Sequence, residues 1–324
     1  MAIVLGQGMA ESSRTPPFSW WARNLICMSP ALRYLAAIRS IAIETPEDRM
    51  TTRLASLGNG VDLAYDVLGA LSDPVVMPLL GITDNMTDWA DSLCVPFIES
   101  GHCVVRHECR DMGWSTQMDG AEYCMEDIVD DVIGLMDHLG IRTADFIGYS
   151  FGGAVAQLLV IAASDRARKL VLLQSTNYNP SLPARSATVL ETMNKACIQY
   201  PTVAEAVAAI KAVRLACNGT VHAMSDEEAQ NAAERSVARA YRPSGTARMI
   251  EARKRTAPFY ERSAAIRCPT LVLQGSDDPI FPGGHGEDIA RRIPGARLAY
   301  LQGAGHNHPK SLIPQMLGLI RGFL

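Results

Sequence analysis

The pentapeptide Gly148-Tyr149-Ser150-Phe151-Gly152 sets a serine between two aromatics, with glycine outside each, where the apolar run "ADFIGY" meets a helix-like segment. At a strand-to-helix turn this spacing holds a serine in a strained backbone. Its hydroxyl then projects over the end of a sheet, beside helix N–H groups that favour developing negative charge. Such a hydroxyl is a poor nucleophile at neutral pH unless a base takes its proton, and the base needs a third group to fix its tautomer. Both occur later in the chain, in workable order and at strand-like ends. "TLVLQGSDDPIFP" runs into Asp277 and Asp278, and "RLAYLQGAGHNHP" runs into His306 and His308. A Ser-Asp pair after a strand also suits a plain turn, and a lone histidine is more often structural than basic; the agreement of three placements carries the reading. Gly303 and Gly305 free the loop to bring His306 toward Ser150, whereas His308, before Pro309, is expected to begin the final helix.

Tetrahedral chemistry also requires donors for an oxyanion. The N–H of Phe151, next after the serine, is one. The second is expected from "PLLGITDNM", where Gly81 permits the bend and Ile82 offers its N–H, with Thr83 one position further; Leu80 stands where a histidine commonly precedes this glycine.

The elements that must position these residues alternate in the manner of a β-α-β chain. "TRLAS" and "VDLAYDVLG" flank the turn cluster Gly58-Asn59-Gly60 and predict a hairpin. "PVVMPLL", "CVVRHE", "ADFIGY" and "KLVLLQ" read as strands separated by helical patterns. In "AEYCMEDIVDDVIGLMDHLG" the residues Ile128, Val132, Leu135, Met136 and Leu139 form a buried face, and Asp127, Asp130, Asp131 and Asp137 are expected on the wet one. From residue 178 to 262 no strand-like run occurs, only Ala-rich helical stretches, one opening with Ser225 and Glu228 in capping-box positions. Strand and helix patterns then resume to the end. The chain therefore divides into an N-terminal extension (1–50), an α/β core (51–177 and 263–324) and a helical lid (178–262). Within that lid, Val213 and Leu215 are the apolar positions expected to meet a substrate.

At 324 residues the chain is long enough for one large domain with a substantial core, and its formal net charge of −4 with interspersed signs gives no reason to expect nucleic acid or an anionic membrane as partner. A small molecule is the expected partner; the sequence does not fix the oligomeric state. Eight cysteines are scattered without a C-x-x-C pair, as in a reduced, cytoplasmic protein. The sequons at Asn85 and Asn218 are read as chance. The other histidines show no H-E-x-x-H spacing, so no metal is expected; His285, in "PGGHGED", is read as a loop residue in preference to a substrate contact. The first forty residues carry Arg14, Arg23, Arg33 and Arg39 against the single acid Glu11 and are too interrupted for a spanning helix. That pattern suits an organelle-targeting peptide, an interfacial segment or a packed extension alike. "IVLGQG" places Gly6 and Gly8 after a strand-like run, but Glu11 occupies the third glycine position of a dinucleotide fingerprint, and nucleotide binding is not expected there.

With these residues in place, the chain from about residue 52 onward resembles the α/β-hydrolase superfamily, a mostly parallel sheet with helices on both faces and a helical lid. Within it, "RHECRDMGWST" and "DDPIFPGGHGEDIARRIPGARLAYLQGAGHNHP" look most like the aclacinomycin methylesterase type, enzymes that cleave a methyl ester on an aromatic polyketide. In such proteins the acid is the residue before Pro-Ile, which carries over to Asp278. Glu108 stands where an aspartate is usual. The resemblance implies a cofactor-free serine hydrolase of a carboxylic ester, with Ser150 attacking, His306 moving the proton and Asp278 orienting it. Alternatives on the same fold are a C–C bond hydrolase, a lactonase or a cofactor-free haloperoxidase-like enzyme, and a non-catalytic ligand receptor that keeps the pocket.

Overall fold

A computed structural model describes residues 52–324 of the chain; the arginine-rich stretch and the Gly6/Gly8 run lie outside the described residues. Among the described residues, eight strands form one sheet. The hairpin β1 (Arg53–Ser56) and β2 (Asp62–Leu68) leads into β3 (Val75–Leu79), β4 (Cys103–His107), β5 (Ala144–Tyr149), β6 (Ala167–Leu173), β7 (Thr270–Gly275) and β8 (Arg297–Leu301). The spatial order is β1-β2-β4-β3-β5-β6-β7-β8. Only β2 runs antiparallel to its neighbours; from β4 to β8 every pairing is parallel. The carboxyl ends of β3, β5, β7 and β8 therefore lie along one edge, where ligands of open α/β sheets gather.

Period-two alternation sends successive side chains of the buried strands to opposite faces. In β6, Leu170 and Leu172 join the core on one face, while Val171 and Leu173 join the core on the other. The first face is covered by α2 (Met125–His138), α3 (Phe151–Ala162) and α8 (His285–Arg292), through residues such as Ile128, Val155 and Ile289. The second is covered by α1 (Asp91–Ile98) and α9 (Ile313–Arg321), through Phe97, Met316 and Ile320. Strands buried on both faces need near-continuous apolar runs, which "LVLL" and "TLVL" supply.

Between β6 and β7 lie α4 (Ala187–Asn194), α5 (Val203–Ala216), α6 (Asp226–Arg239) and α7 (Pro243–Arg255). Helices α5 and α6 pack their own small core around Ala206, Val207, Ile210, Ala233 and Val237. The segment is fastened to the sheet by the loop after β4. Arg239 pairs in bidentate fashion with the buried Glu108, at 3.0 and 3.1 Å, and its guanidinium lies 3.6 Å from the centre of the Trp114 ring. Arg248 grips Asp111 at 2.9 and 2.6 Å. Neighbouring amides and a phenol complete these carboxylates: Glu108 also accepts from the N–H groups of Met86 and Trp114, and Asp111 from the Met118 N–H and the Tyr123 hydroxyl.

Four local expectations change. Asp131 is not on the wet face of α2; it is 1% exposed and holds Arg110 through two bonds of 2.6 and 2.7 Å. Charge alone places an aspartate outside, but a guanidinium on the loop after β4 makes burial tolerable. Ser225 caps α6 by accepting from the Glu228 N–H, yet Glu228 turns its carboxylate to the Lys310 N–H instead of closing the box. His308 does not begin the last helix, which starts at Ile313. Val213 is enclosed between α5 and its neighbours. Asn85 is buried and bonded to the Ser236 carbonyl, in keeping with a chance sequon.

Candidate active site

Ser150 sits between the end of β5 and the first residue of α3, with φ 53° and ψ −120°, a conformation that a residue with a Cβ adopts only when its surroundings impose it. The flanking glycines allow the turn. A Cβ on Gly148 would lie 2.5 Å from the Gly153 Cα, and one on Gly152 would overlap the Leu79 carbonyl. The Ser150 carbonyl is fixed by the Ser175 hydroxyl at 2.7 Å, and its N–H donates to the Leu173 carbonyl at 3.0 Å.

The structure brings Ser150, His306 and Asp278 together. His306 Nε2 is 2.8 Å from Ser150 Oγ, and its Nδ1 is 2.7 Å from Asp278 Oδ2. The other Asp278 oxygen accepts from the Ile280 and Phe281 N–H groups at 2.8 and 2.9 Å, so the carboxylate is buried but fully satisfied. The histidine loop is tied down by the His306 N–H donating to the Cys217 carbonyl at 2.7 Å, and by the Tyr149 hydroxyl donating to the His306 carbonyl. Burial holds the Tyr149 phenol well above its usual pKa, so it remains a donor.

The two competing residues face elsewhere. Asp277 is only half-buried and accepts from Thr220 and Ser276, whose hydroxyls hold its carboxyl below the usual value. His308 Nε2 lies 2.8 Å from Gln174 Oε1, with its ring 4.5 Å from that of Tyr149. Burial, with help from nearby His306, pushes its pKa down to about 3, so it is neutral.

The turn after β3 is closed by the Gly81 N–H donating to Asp84 Oδ2 at 3.0 Å and the Asp84 N–H donating to the Gly81 carbonyl at 3.2 Å. It presents Ile82 and Thr83 to the same cavity that Ser150, Phe151 and His306 line. Phe151 opens α3, so its N–H has no acceptor within the helix. The cavity has a volume of about 500 Å³, ample for a small organic molecule. Its outer wall comes from the chain after β6: Leu182, Leu190, Met193 and Ile250 supply apolar surface, and Arg185 and Arg253 reach in beside them. Val213 and Leu215 do not line it. His285 does, with its Nδ1 2.8 Å from the Thr176 hydroxyl and its Nε2 3.0 Å from the Pro183 carbonyl.

This geometry can activate a hydroxyl and hold a ligand above it. A family model for the alpha/beta hydrolase fold matches residues 74–308. The chain belongs to the alpha/beta hydrolase family. Among curated relatives of this hydrolase is a rhodomycin D methylesterase from Streptomyces peucetius, 27% identical over 267 residues, covering 74% of this chain and 88% of the relative. A 2-hydroxymuconate semialdehyde hydrolase from Pseudomonas sp. (strain CF600) is 28% identical over 236 residues, covering 71% and 80%. Among solved structures, a hydrolase from Pseudomonas aeruginosa PA01 superposes with a TM-score of 0.68 at 27% identity, over 84% of this chain and 97% of that one. The methylesterase resemblance carried by the loop after β4 and by the C-terminal strand ends agrees with the first of these. In this hydrolase no helix among the described residues is long and apolar enough to cross a membrane.

Sequence reasoning missed the cavity-facing residues of the wall. Their faces are set by how α4 packs on α5 and α7 on α2, and the Ala-rich pattern of the segment carries no trace of that packing. It also missed Tyr149 as the strut under His306 and Phe281, whose ring stands edge-on to His306 at 5.3 Å.

Proposed function

We propose that this protein is a serine hydrolase that cleaves a carboxylic ester of a small molecule. The observation that carries the reading is the hydrogen-bonded chain Asp278–His306–Ser150, opening on a largely apolar cavity. Ser150 Oγ attacks the ester carbonyl carbon while His306 Nε2 takes its proton. Asp278 accepts from His306 Nδ1–H, keeping the tautomer correct and stabilising the imidazolium. The N–H groups of Phe151 and Ile82 receive the oxyanion. His306 then protonates the departing alcohol, leaving an acyl group on Ser150, and a water activated by the same histidine releases the acid. The reaction draws on no cofactor.

The substrate that the methylesterase resemblance favours is a methyl ester of a bulky, polyketide-like molecule, with the segment between β6 and β7 acting as a lid over the remote part of it. Incubation with a panel of methyl, acetyl and p-nitrophenyl esters, with products followed by mass, tests this directly. Methanol and free acid are expected from bulky methyl esters with wild type and not with Ser150→Ala. Wild type inert toward every ester would refute the proposal.

A second reading keeps the same residues but cuts a C–C bond or a lactone. It draws support from the similarity to the 2-hydroxymuconate semialdehyde hydrolase. Turnover of vinylogous 1,5-diketones in preference to every ester would favour it.

A further inference from the structure

Among the described residues, the cavity above Ser150 is lined by three cationic side chains, Arg185, Arg253 and Lys254, and by no carboxylate, in a chain whose net charge is −4. Lys254 has a partner in Glu251, 2.7 Å away. Arg185 and Arg253 do not: among the described residues, neither pairs with an aspartate or glutamate. The arginines that fasten the same segment to the sheet behave otherwise, each closing on a carboxylate.

The two cavity arginines rest on aromatic faces. The Arg185 guanidinium lies 5.8 Å from the centre of the Phe281 ring, and Phe281 is edge-on to His306, which sets Arg185 one ring away from the base. Arg253 lies 4.4 Å over Tyr178. A ring beneath a guanidinium fixes its plane and leaves outward N–H groups for a ligand. Burial and the nearby charge of Arg253 both hold the Arg185 pKa below the ordinary guanidinium value, so the two cations repel across the cavity. An anion between them relieves that repulsion.

We infer that the substrate carries a carboxylate remote from the bond that is cut, and that Arg185 and Arg253 are the groups that hold it. This rests on the ester-hydrolase reading and narrows it to half-esters, whose hydrolysis yields a dicarboxylate and an alcohol. A planar carboxylate matches the guanidinium fork in bidentate geometry, and beside the apolar wall the half-buried Arg185, with the more exposed Arg253, selects for the ionised substrate.

The test uses mono-p-nitrophenyl esters of adipate, suberate and sebacate, each paired with its neutral ω-carboxamide. At the chain length that spans Ser150 to the arginines, wild type is expected to prefer the carboxylate by at least about tenfold in kcat/KM, and added salt should shrink the ratio. Arg185→Gln should bring that ratio near one and Arg253→Gln should lower it, while Arg185→Lys, which keeps the charge, should retain part of it. The ratio within each variant is the readout, so a general loss of activity does not mimic the effect. A wild-type ratio near one at every length, with the amides hydrolysed, overturns the carboxylate inference and leaves the esterase standing. A preference that persists in the Arg185→Gln, Arg253→Gln double variant also overturns it. If neither member of any pair is turned over, the esterase reading fails, and the inference with it.

Discussion

On the floor of the cavity, Ser150, Asp278 and His306 follow β5, β7 and β8 of one sheet, whereas the wall above them comes from the loop and helices between β6 and β7. The floor is fixed by backbone geometry: a strained serine, glycines that allow close backbone approach, and parallel strands whose ends point one way. The wall is fixed at long range, by Arg239 on Glu108 and Arg248 on Asp111, pairs that join positions far apart in the chain. The floor can therefore be specified in a few residues, while the wall depends on the docking of whole helices. Chemistry is expected to follow the first, and choice of substrate the second.

If that division is right, the largest effects come from the floor. Ser150→Ala should lower kcat by a factor on the order of 10⁶, by analogy with another serine hydrolase. His306→Ala should behave alike and His308→Ala should not, measured as ester turnover by folded protein. Equal losses in the two histidine variants would break the comparison at its base.

Next, Asp278→Asn should cost about 10⁴ in kcat, while Asp277→Asn should leave turnover within a few-fold of wild type. The first carboxylate faces His306 and the second faces Thr220.

Cutting the clamp between the two regions should be felt in stability. Glu108→Gln leaves Arg239 buried without its counter-charge, and such losses cost about 3–5 kcal/mol; chemical denaturation would measure it. A change below about 1 kcal/mol would mean that the pair does not fasten the wall.

Smaller still is the effect of the wall on choice. Leu190→Ala with Ile250→Ala should reduce the preference for bulky over acetyl esters by about tenfold, since about 1.4 kcal/mol is enough. The same pair of changes at Val213 and Leu215 should not, because neither lines the cavity.

A separate test of the buried groups concerns pH. Burial lowers the pKa of His107 to about 4 and that of His308 to about 3. Below the ordinary histidine value the unfolded chain takes up these protons first, so their contribution to stability grows from about pH 4 to 6.5 and is complete above it. Asp84 acts oppositely. Burial and nearby Asp88 push it up to about 7, so its contribution is present below the ordinary carboxyl range and is lost as pH rises to about 7. Thermal unfolding across this range should show a shallower acid limb for His308→Gln and a steeper rise for Asp84→Asn.

The same division explains what the sequence revealed. The hairpin around Gly58–Gly60, the alternating strands and the convergence of strand ends were legible, because period and turn chemistry are local. The strand order was not, since nothing in "VDLAYDVLG" says that β2 pairs with β4 instead of β3. Asp131 read as solvent-facing because its partner Arg110 lies on another element. The sequence suggests that Val213 and Leu215 face the cavity, but Val213 packs in the core of α5 and α6 and Leu215 lines a different groove, while Arg185 and Arg253 carry no local mark of facing inward.

The most direct test of the central claim is covalent labelling with a fluorophosphonate followed by peptide mapping. A single adduct on the peptide bearing Ser150, absent in Ser150→Ala and strongly slowed in His306→Ala, is the predicted result. An adduct on another residue, or labelling that survives Ser150→Ala, would contradict it.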